Sequence, residues 1–238
     1  MKLDILVLAA HPDDAELGCG GTMAAHVAMG YQVGVVDLTR GELGTRGTPE
    51  IRDGEAAAAS KILGLRVREN LNFKDGFFLN DEQHQLEIIK VIRKYQPDIL
   101  ITNAPKDRHT DHGRAADLCY TAAFIAGLSK VSTQLAGKEQ KAWRPKQVYH
   151  FIQSQLLMPD LIVDVSDHWE TKMKAIYAYQ SQFHDPASAE PDTFISSPGF
   201  LKMIEGRGHD FGMAIGVKYG EGFILRRPAG VIDLKHLL

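Results

Sequence analysis

The sequence predicts an α/β fold, a three-layer sandwich around a mostly parallel sheet, and three observations carry that expectation. Short apolar runs dense enough for burial on both faces recur along the chain, helix-length amphipathic segments alternate with them, and polar loops rich in Gly, His and Asp follow the runs. The run 3–10 reads as a first strand. Residues 16–29 place Leu17, Met23, Ala24, Val27 and Ala28 at helical spacing and stop at Gly30, and 32–38, with Val33, Val35 and Val36, follows as a second strand. Thr48 before Pro49 is an N-cap with proline at the first helical position, opening an Ala-rich helix to Gly64. Residues 66–73 read as a third strand. Asn80 and Asp81 precede Leu86, Ile89, Val91, Ile92 and Tyr95, a helical period that Pro97 closes before a strand at 98–103.

After a polar loop, 104–112, a helix is expected at 113–128, then an exposed Lys/Gly/Gln-rich excursion to Pro145 and strands at 147–153 and 161–165. Asp167 and Glu170 have capping-pair spacing for a helix through Ile176 and Tyr179. The stretch 184–198, with Pro186, Pro191 and Pro198, shows no period and reads as a long loop of the kind that often serves function. Residues 214–224 alternate weakly and suit a last strand or hairpin. No repeat or linker divides the chain, so one domain over 1–238 is expected, with a Rossmann-like sheet and a ligand site at the C-terminal ends of its strands. That placement gathers loops 10–16, 39–48 and 104–112.

Composition narrows the function classes. The chain has 238 residues, 44% hydrophobic, enough for a large core. Lys and Arg number 27 against 30 Asp and Glu, a net charge of −3, so neither nucleic acid nor an anionic membrane is an expected partner. Cys19 and Cys119 are too few for a disulfide framework and lack CxxC spacing, which fits a reducing, cytoplasmic setting. The N-terminal apolar run is too short for a membrane span and lacks the form of a signal peptide.

Two regions pair histidine with carboxylate in loops after strands: His11-Pro12-Asp13-Asp14 and His109-Thr110-Asp111-His112. Zinc accepts imidazole nitrogen and carboxylate oxygen, and catalytic sites use three protein ligands with one position open. One such pair is an ordinary turn; two at adjacent strand ends point to a metal. Pro12 fixes the backbone after His11, and the doubled carboxylate lets one Asp bind metal while the other carries a proton. Gly18, Gly20 and Gly21 miss the GxGxxG spacing of a dinucleotide loop. Arg207, His209, Arg226 and Arg227 read as a solvated face or a rim, and His150 and His168 as structural residues.

These motifs, His11-Pro12-Asp13-Asp14 with Glu16 and His109-x-Asp111-His112, resemble those of the LmbE/PIG-L-like zinc de-N-acetylases. Thr39-x-Gly41-Glu42, Arg52-x-x-Glu55, Asp75 after Leu71-Asn72-Phe73, and the tail from Ile215 to Phe223 are similar to the bacillithiol-biosynthesis branch, whose substrate is N-acetylglucosaminyl malate. The resemblance implies that His11, Asp14 and His112 hold Zn²⁺, with Fe²⁺ as an alternative. It leaves Asp13 free to take a proton from water and return it to the leaving amine, and sets a protonated His109 against the oxyanion, with Asp111 orienting a histidine. Arg52 and Asp75 fit sugar recognition, and Glu42, Arg46 and Arg108 lie in the same loops; Arg52 first and Arg108 second are the expected partners of the malate carboxylates. A homo-oligomer, by resemblance a hexamer, is implied. Thr110, where Pro is usual, and Tyr179, near a usual His, depart from the pattern. The competing expectations are a deacetylase of another amino sugar, of chitobiose or mycothiol-precursor type, and a non-catalytic sugar- or nucleotide-binding module without metal.

Overall fold

The computed structural model describes residues 1–183, 189–231, 233 and 235. Its elements are β1 (Ile5–Ala9), α1 (Asp14–Ala28), β2 (Val33–Thr39), α2 (Pro49–Leu63), β3 (Val67–Phe73), α3 (Glu82–Tyr95), β4 (Ile99–Thr102), α4 (Thr110–Ala126), β5 (Gln134–Leu135), β6 (Lys138–Glu139), β7 (Gln147–Phe151), β8 (Leu161–Asp164), α5 (Trp169–Tyr177), α6 (Phe200–Ala214) and β9 (Gly220–Leu225). A seven-stranded sheet runs in the order β3-β2-β1-β4-β7-β9-β8. The first five strands of that order pair in parallel, and β9 runs antiparallel between β7 and β8.

Strands β1 and β2 are buried at every residue, as their apolar density requires. Ile5, Val7 and Ala9 turn to one face and pack with residues of α1, α2, α5 and α6; Leu6, Leu8 and Ala10 turn to the other and pack with α3 and α4. Helices therefore cover both faces, and the three-layer expectation holds. The caps read from sequence are present: Thr48 accepts from the Ile51 N–H at 3.3 Å, Asp81 from the His84 N–H at 3.0 Å, and Gly64 closes α2 at φ +68°. Among the described residues no helix is long and apolar enough to cross a membrane.

Three elements differ from expectation. Helix α4 begins at Thr110 rather than 113, because His109 stays extended and its ring accepts from the Asp111 N–H; His112 thereby sits in a first turn, not a loop. Asp167 and Glu170 form no capping pair. A 3-10 turn, Ser166–His168, leads into α5, and Asp164 instead holds the Ser166 N–H and hydroxyl. Helix α6 is hidden in the sequence by Gly206, Gly208 and Gly212, which lower helix propensity. Two of those glycines are required by packing: a Cβ at Gly208 would lie 2.4 Å from the Trp169 ring, and one at Gly212 2.8 Å from the Lys218 backbone. The exposed excursion carries the small β5–β6 hairpin. Of the expected long loop, His184 and Pro186 lie outside the described residues.

Helix α1 is broken at Cys19, whose φ/ψ of −144°/26° is not helical. The groups a continuous helix would have joined there find partners from far away: the Gly21 N–H donates to Glu221 Oε1 at 2.9 Å, and the Leu17 carbonyl accepts from Lys172 Nζ at 2.9 Å. Glu221 also takes the Thr22 N–H and pairs with Lys172 at 2.5 Å, both side chains being buried. Glu221→Ala strands a buried ammonium and two amides, so a loss of about 3–5 kcal/mol is expected in urea unfolding. A loss under about 1 kcal/mol would mean that water replaces the carboxylate.

Candidate metal and catalytic centre

The strand order reverses between β1 and β4, and the loops leaving their C-terminal ends diverge to opposite sides, opening the crevice where such sheets bind ligands. His11 follows β1 into that crevice, and His109 and His112 enter it from the start of α4. Asp13 stands at φ +99°, a left-handed backbone that costs a non-glycine residue about 1–3 kcal/mol and is found mostly at functional turns. Asp14 then opens α1.

Asp14 is the hub. His11 Nδ1 lies 3.5 Å from its Oδ2 and His112 Nε2 3.1 Å from its Oδ1. Asn103 Nδ2 and the His11 N–H hold Oδ2, each at 3.0 Å, and Gln153 Nε2 holds Oδ1 at 2.6 Å. The far nitrogen of each histidine meets a carboxylate. His11 Nε2 faces Asp75 at 2.9 Å and Asp111 at 3.4 Å, and His112 Nδ1 faces Asp107 at 2.5 Å. Carboxylates behind both rings fix them with the near nitrogens turned inward, the arrangement that metal-binding imidazoles adopt. His109 joins them, so that one nitrogen each from His11, His109 and His112 lies within 4.8 Å of the others. Two imidazoles with a carboxylate or a third imidazole suit a divalent cation of zinc type.

The charges follow from this packing. Burial works against the ionised form of Asp14, but the His112 charge and bonds from both histidines outweigh it and hold the carboxyl well below its usual range. Burial likewise opposes the His112 cation, yet Asp14 and Asp107 raise it to about 9, and Asp111, Asp14 and Asp75 raise His11 well above its usual value. Asp13 goes the other way. Burial, with Asp14 and Glu16 nearby, pushes it up to about 7 against the pull of Arg52, whose Nη2 donates to its Oδ2 at 3.2 Å. A carboxyl near 7 accepts and returns a proton at neutral pH. Burial, and then the charges of His11 and His112, lower His109 below its usual value, which favours the neutral ring over the protonated one that the resemblance implies. Its Nδ1 accepts from the Asp111 N–H, which places the remaining proton on Nε2 and keeps a donor available.

The cavity over this centre holds about 420 Å³ and is lined by His11, Asp13, Asp14, His109 and His112 below and by Arg46, Arg108 and Phe194 among others. Arg52 reaches it but is committed: it bonds to the carbonyls of Pro12 and Gly41 as well as to Asp13. Gly41 is glycine for this reason, since a Cβ would fall 1.8 Å from the Arg52 guanidinium. Asp75, expected on sugar hydroxyls, has one oxygen on His11 and the other on the Leu43 N–H at 3.0 Å. Glu42 is exposed, accepts from the Asp75 N–H and does not line the cavity. Arg108 lines it with its guanidinium 4.3 Å over the Phe194 ring. Asp111 lies behind His11, anchored by Arg114 at 2.7 Å. Sequence reading missed Asn103, Asp107 and Gln153; Asp107 lies in the expected loop, but a lone Asp in a turn gives no signal. Tyr179 is fully buried, its hydroxyl accepting from Arg68, which also joins Glu16 and Asp37 behind Asp13.

Comparison with known proteins identifies relatives of the chain. The family described as PIG-L, GlcNAc-PI de-N-acetylase, matches residues 6–123, the segment that carries both histidine motifs. Diacetylchitobiose deacetylase of Thermococcus kodakarensis is 30% identical over 192 residues, covering 75% of this chain and 70% of the relative. The 4-oxalmesaconate hydratase of Pseudomonas putida is 29% identical over 205 residues, covering 75% and 74%. A conserved protein of Thermus thermophilus superposes with a TM-score of 0.86 at 35% identity over 98% of both chains. Family match, relatives and fold concur, and the chain belongs to the PIG-L family of GlcNAc-PI de-N-acetylases.

Proposed function

We propose that the chain hydrolyses the N-acetyl group of an N-acetylglucosaminide, most specifically N-acetylglucosaminyl malate, to acetate and a free amine, with zinc held by His11, Asp14 and His112. The observation that carries the reading is Asp13: a buried carboxyl near neutral pKa, clamped by Arg52, beside histidines braced by carboxylates. A divalent cation in this donor set acidifies water and polarises a carbonyl. Asp13 takes the proton from water as its oxygen attacks the acetyl carbon. His109 Nε2–H donates to the oxygen on which charge collects, an interaction stronger in the transition state than in the ground state. The C–N bond then breaks as the Asp13 carboxyl protonates the leaving nitrogen. Arg52 keeps the Asp13 carboxylate aimed through both transfers.

The test is acetate and amine release from a panel of N-acetylglucosaminides by the zinc-loaded protein. Comparable turnover of diacetylchitobiose would move the assignment to another amino sugar. Absence of release across the panel would favour water addition to an unsaturated acid, the reading that the hydratase relative supports. His109→Ala is expected to lower kcat by more than it raises KM, because the donor acts on developing charge. A change in KM alone would make His109 a binding residue.

A further inference from the structure

The cavity is unevenly charged. Its floor carries Asp13, Asp14 and Asp75 beside His11 and His112, and its lining arginines are Arg46, Arg52 and Arg108. Arg52 is consumed by Asp13 and two carbonyls, and Arg108 is exposed and stacked on Phe194. Arg46 is different. It is only 3% exposed and its Nε, like that of Arg52, makes no hydrogen bond among the described residues, but its carboxylate neighbour stands at 3.6 Å where Asp13 stands 3.2 Å from Arg52. A buried guanidinium left incompletely bonded is costly unless something else completes it.

Its carboxylate neighbour comes from the chain itself. Glu190 Oε1 accepts the Gly47 N–H at 3.0 Å, and its Oε2 stands 3.6 Å from Arg46 Nε, beyond hydrogen-bond reach. The donor half of this cradle is fixed from several directions. Gln182 Nε2 donates to the Arg46 carbonyl at 2.8 Å and to Ser181 Oγ at 2.8 Å, and Glu55 anchors Ser181 through its N–H and hydroxyl. Gly47 turns at φ +71° against Ser181, where a Cβ would lie 2.7 Å from Oγ. On the acceptor side, the Glu190 side chain is 44% exposed. A rigid N–H and a guanidinium hold one carboxylate, and the one present sits too far out for a close pair.

We propose that Arg46 and the Gly47 N–H form a carboxylate-recognition subsite at the cavity mouth, occupied by Glu190 until the carboxylate of an anionic aglycone displaces it. The subsite makes Arg46, rather than Arg52, the residue that selects acidic glycosides; the identity of the sugar rests on the deacetylase reading above. The acetamide then reaches the histidines while the anion stays at the rim, away from the acidic floor. Preorganised donors favour the incoming carboxylate because no side chain has to be ordered to bind it.

The experiment compares kcat/KM of the zinc-loaded enzyme on N-acetylglucosaminyl malate and on methyl N-acetylglucosaminide. The wild type is expected to prefer the anionic glycoside, and Arg46→Gln to shrink the preference by about 10- to 100-fold, the worth of a charged hydrogen bond. Arg46→Lys should restore part of it, since a point charge lacks the guanidinium's planar fork. Glu190→Gln should lower KM for the anionic glycoside several-fold and leave the neutral one little changed. Equal falls on both substrates in Arg46→Gln, or an unchanged preference, would overturn the proposal. If neither glycoside is deacetylated by the wild type, the deacetylase reading fails by itself, and calorimetric binding of the same two glycosides decides the subsite: tighter binding of the anionic one, lost in Arg46→Gln, supports it, and equal binding refutes it.

Discussion

Asp13→Asn is expected to lower kcat by about 10²- to 10⁴-fold, the usual worth of a positioned acid–base group, while bound metal per chain stays unchanged. The amide is nearly isosteric and still accepts from Arg52, which also keeps its bonds to the Pro12 and Gly41 carbonyls, so the turn at Asp13 survives. What is lost is a site for the proton. Atomic absorption and steady-state rates on the same sample separate the two effects, since intact metal reports an intact centre. A variant with near-normal kcat would transfer the proton to another group in the cavity.

Removing Asp14 should be as severe for a different reason. Asp14→Ala takes away the oxygens that both histidines face, leaves the Gln153 amide without its acceptor and removes one of the two that the Asn103 amide has. The expected result is loss of zinc after dialysis and loss of turnover together, as for His11→Ala and His112→Ala. Asp107→Asn gives the graded control: it loosens His112 from behind, and losses of that kind cost about 10- to 100-fold in metal affinity. Full zinc retention in all three alanine variants would remove these residues as the ligand set.

Much of this was legible because local signals and the fold agreed. The caps of α2 and α3, the density of β1 and β2 and the pairing of His with Asp after two strands are each set by residues a few positions apart. What stayed hidden depends on contacts between distant segments. The glycines of α6 read as breakers until Trp169 and the Lys218 backbone are seen to need that space. Arg52 reads in sequence as a partner for substrate; its contacts with Asp13 and with the Pro12 and Gly41 carbonyls join segments that no local signal connects. Gln153 and Asn103, neutral residues at strand ends, gain their place in the site from where Asp14 lies.

The break in α1 ties the timing of assembly to the far end of the chain. Residues that frame the centre emerge early in synthesis, within the segment 6–123 matched by the family. The amide exposed at the break finds its partner 200 residues later, at Glu221, and Asp14 finds Gln153 139 residues later. Closing such long loops is slow, and no shorter stretch of the nascent chain contains both sides of the contact. A ribosome-bound chain stopped before β9 therefore holds every histidine of the site but lacks the carboxylate that bridges the break in the helix that Asp14 opens.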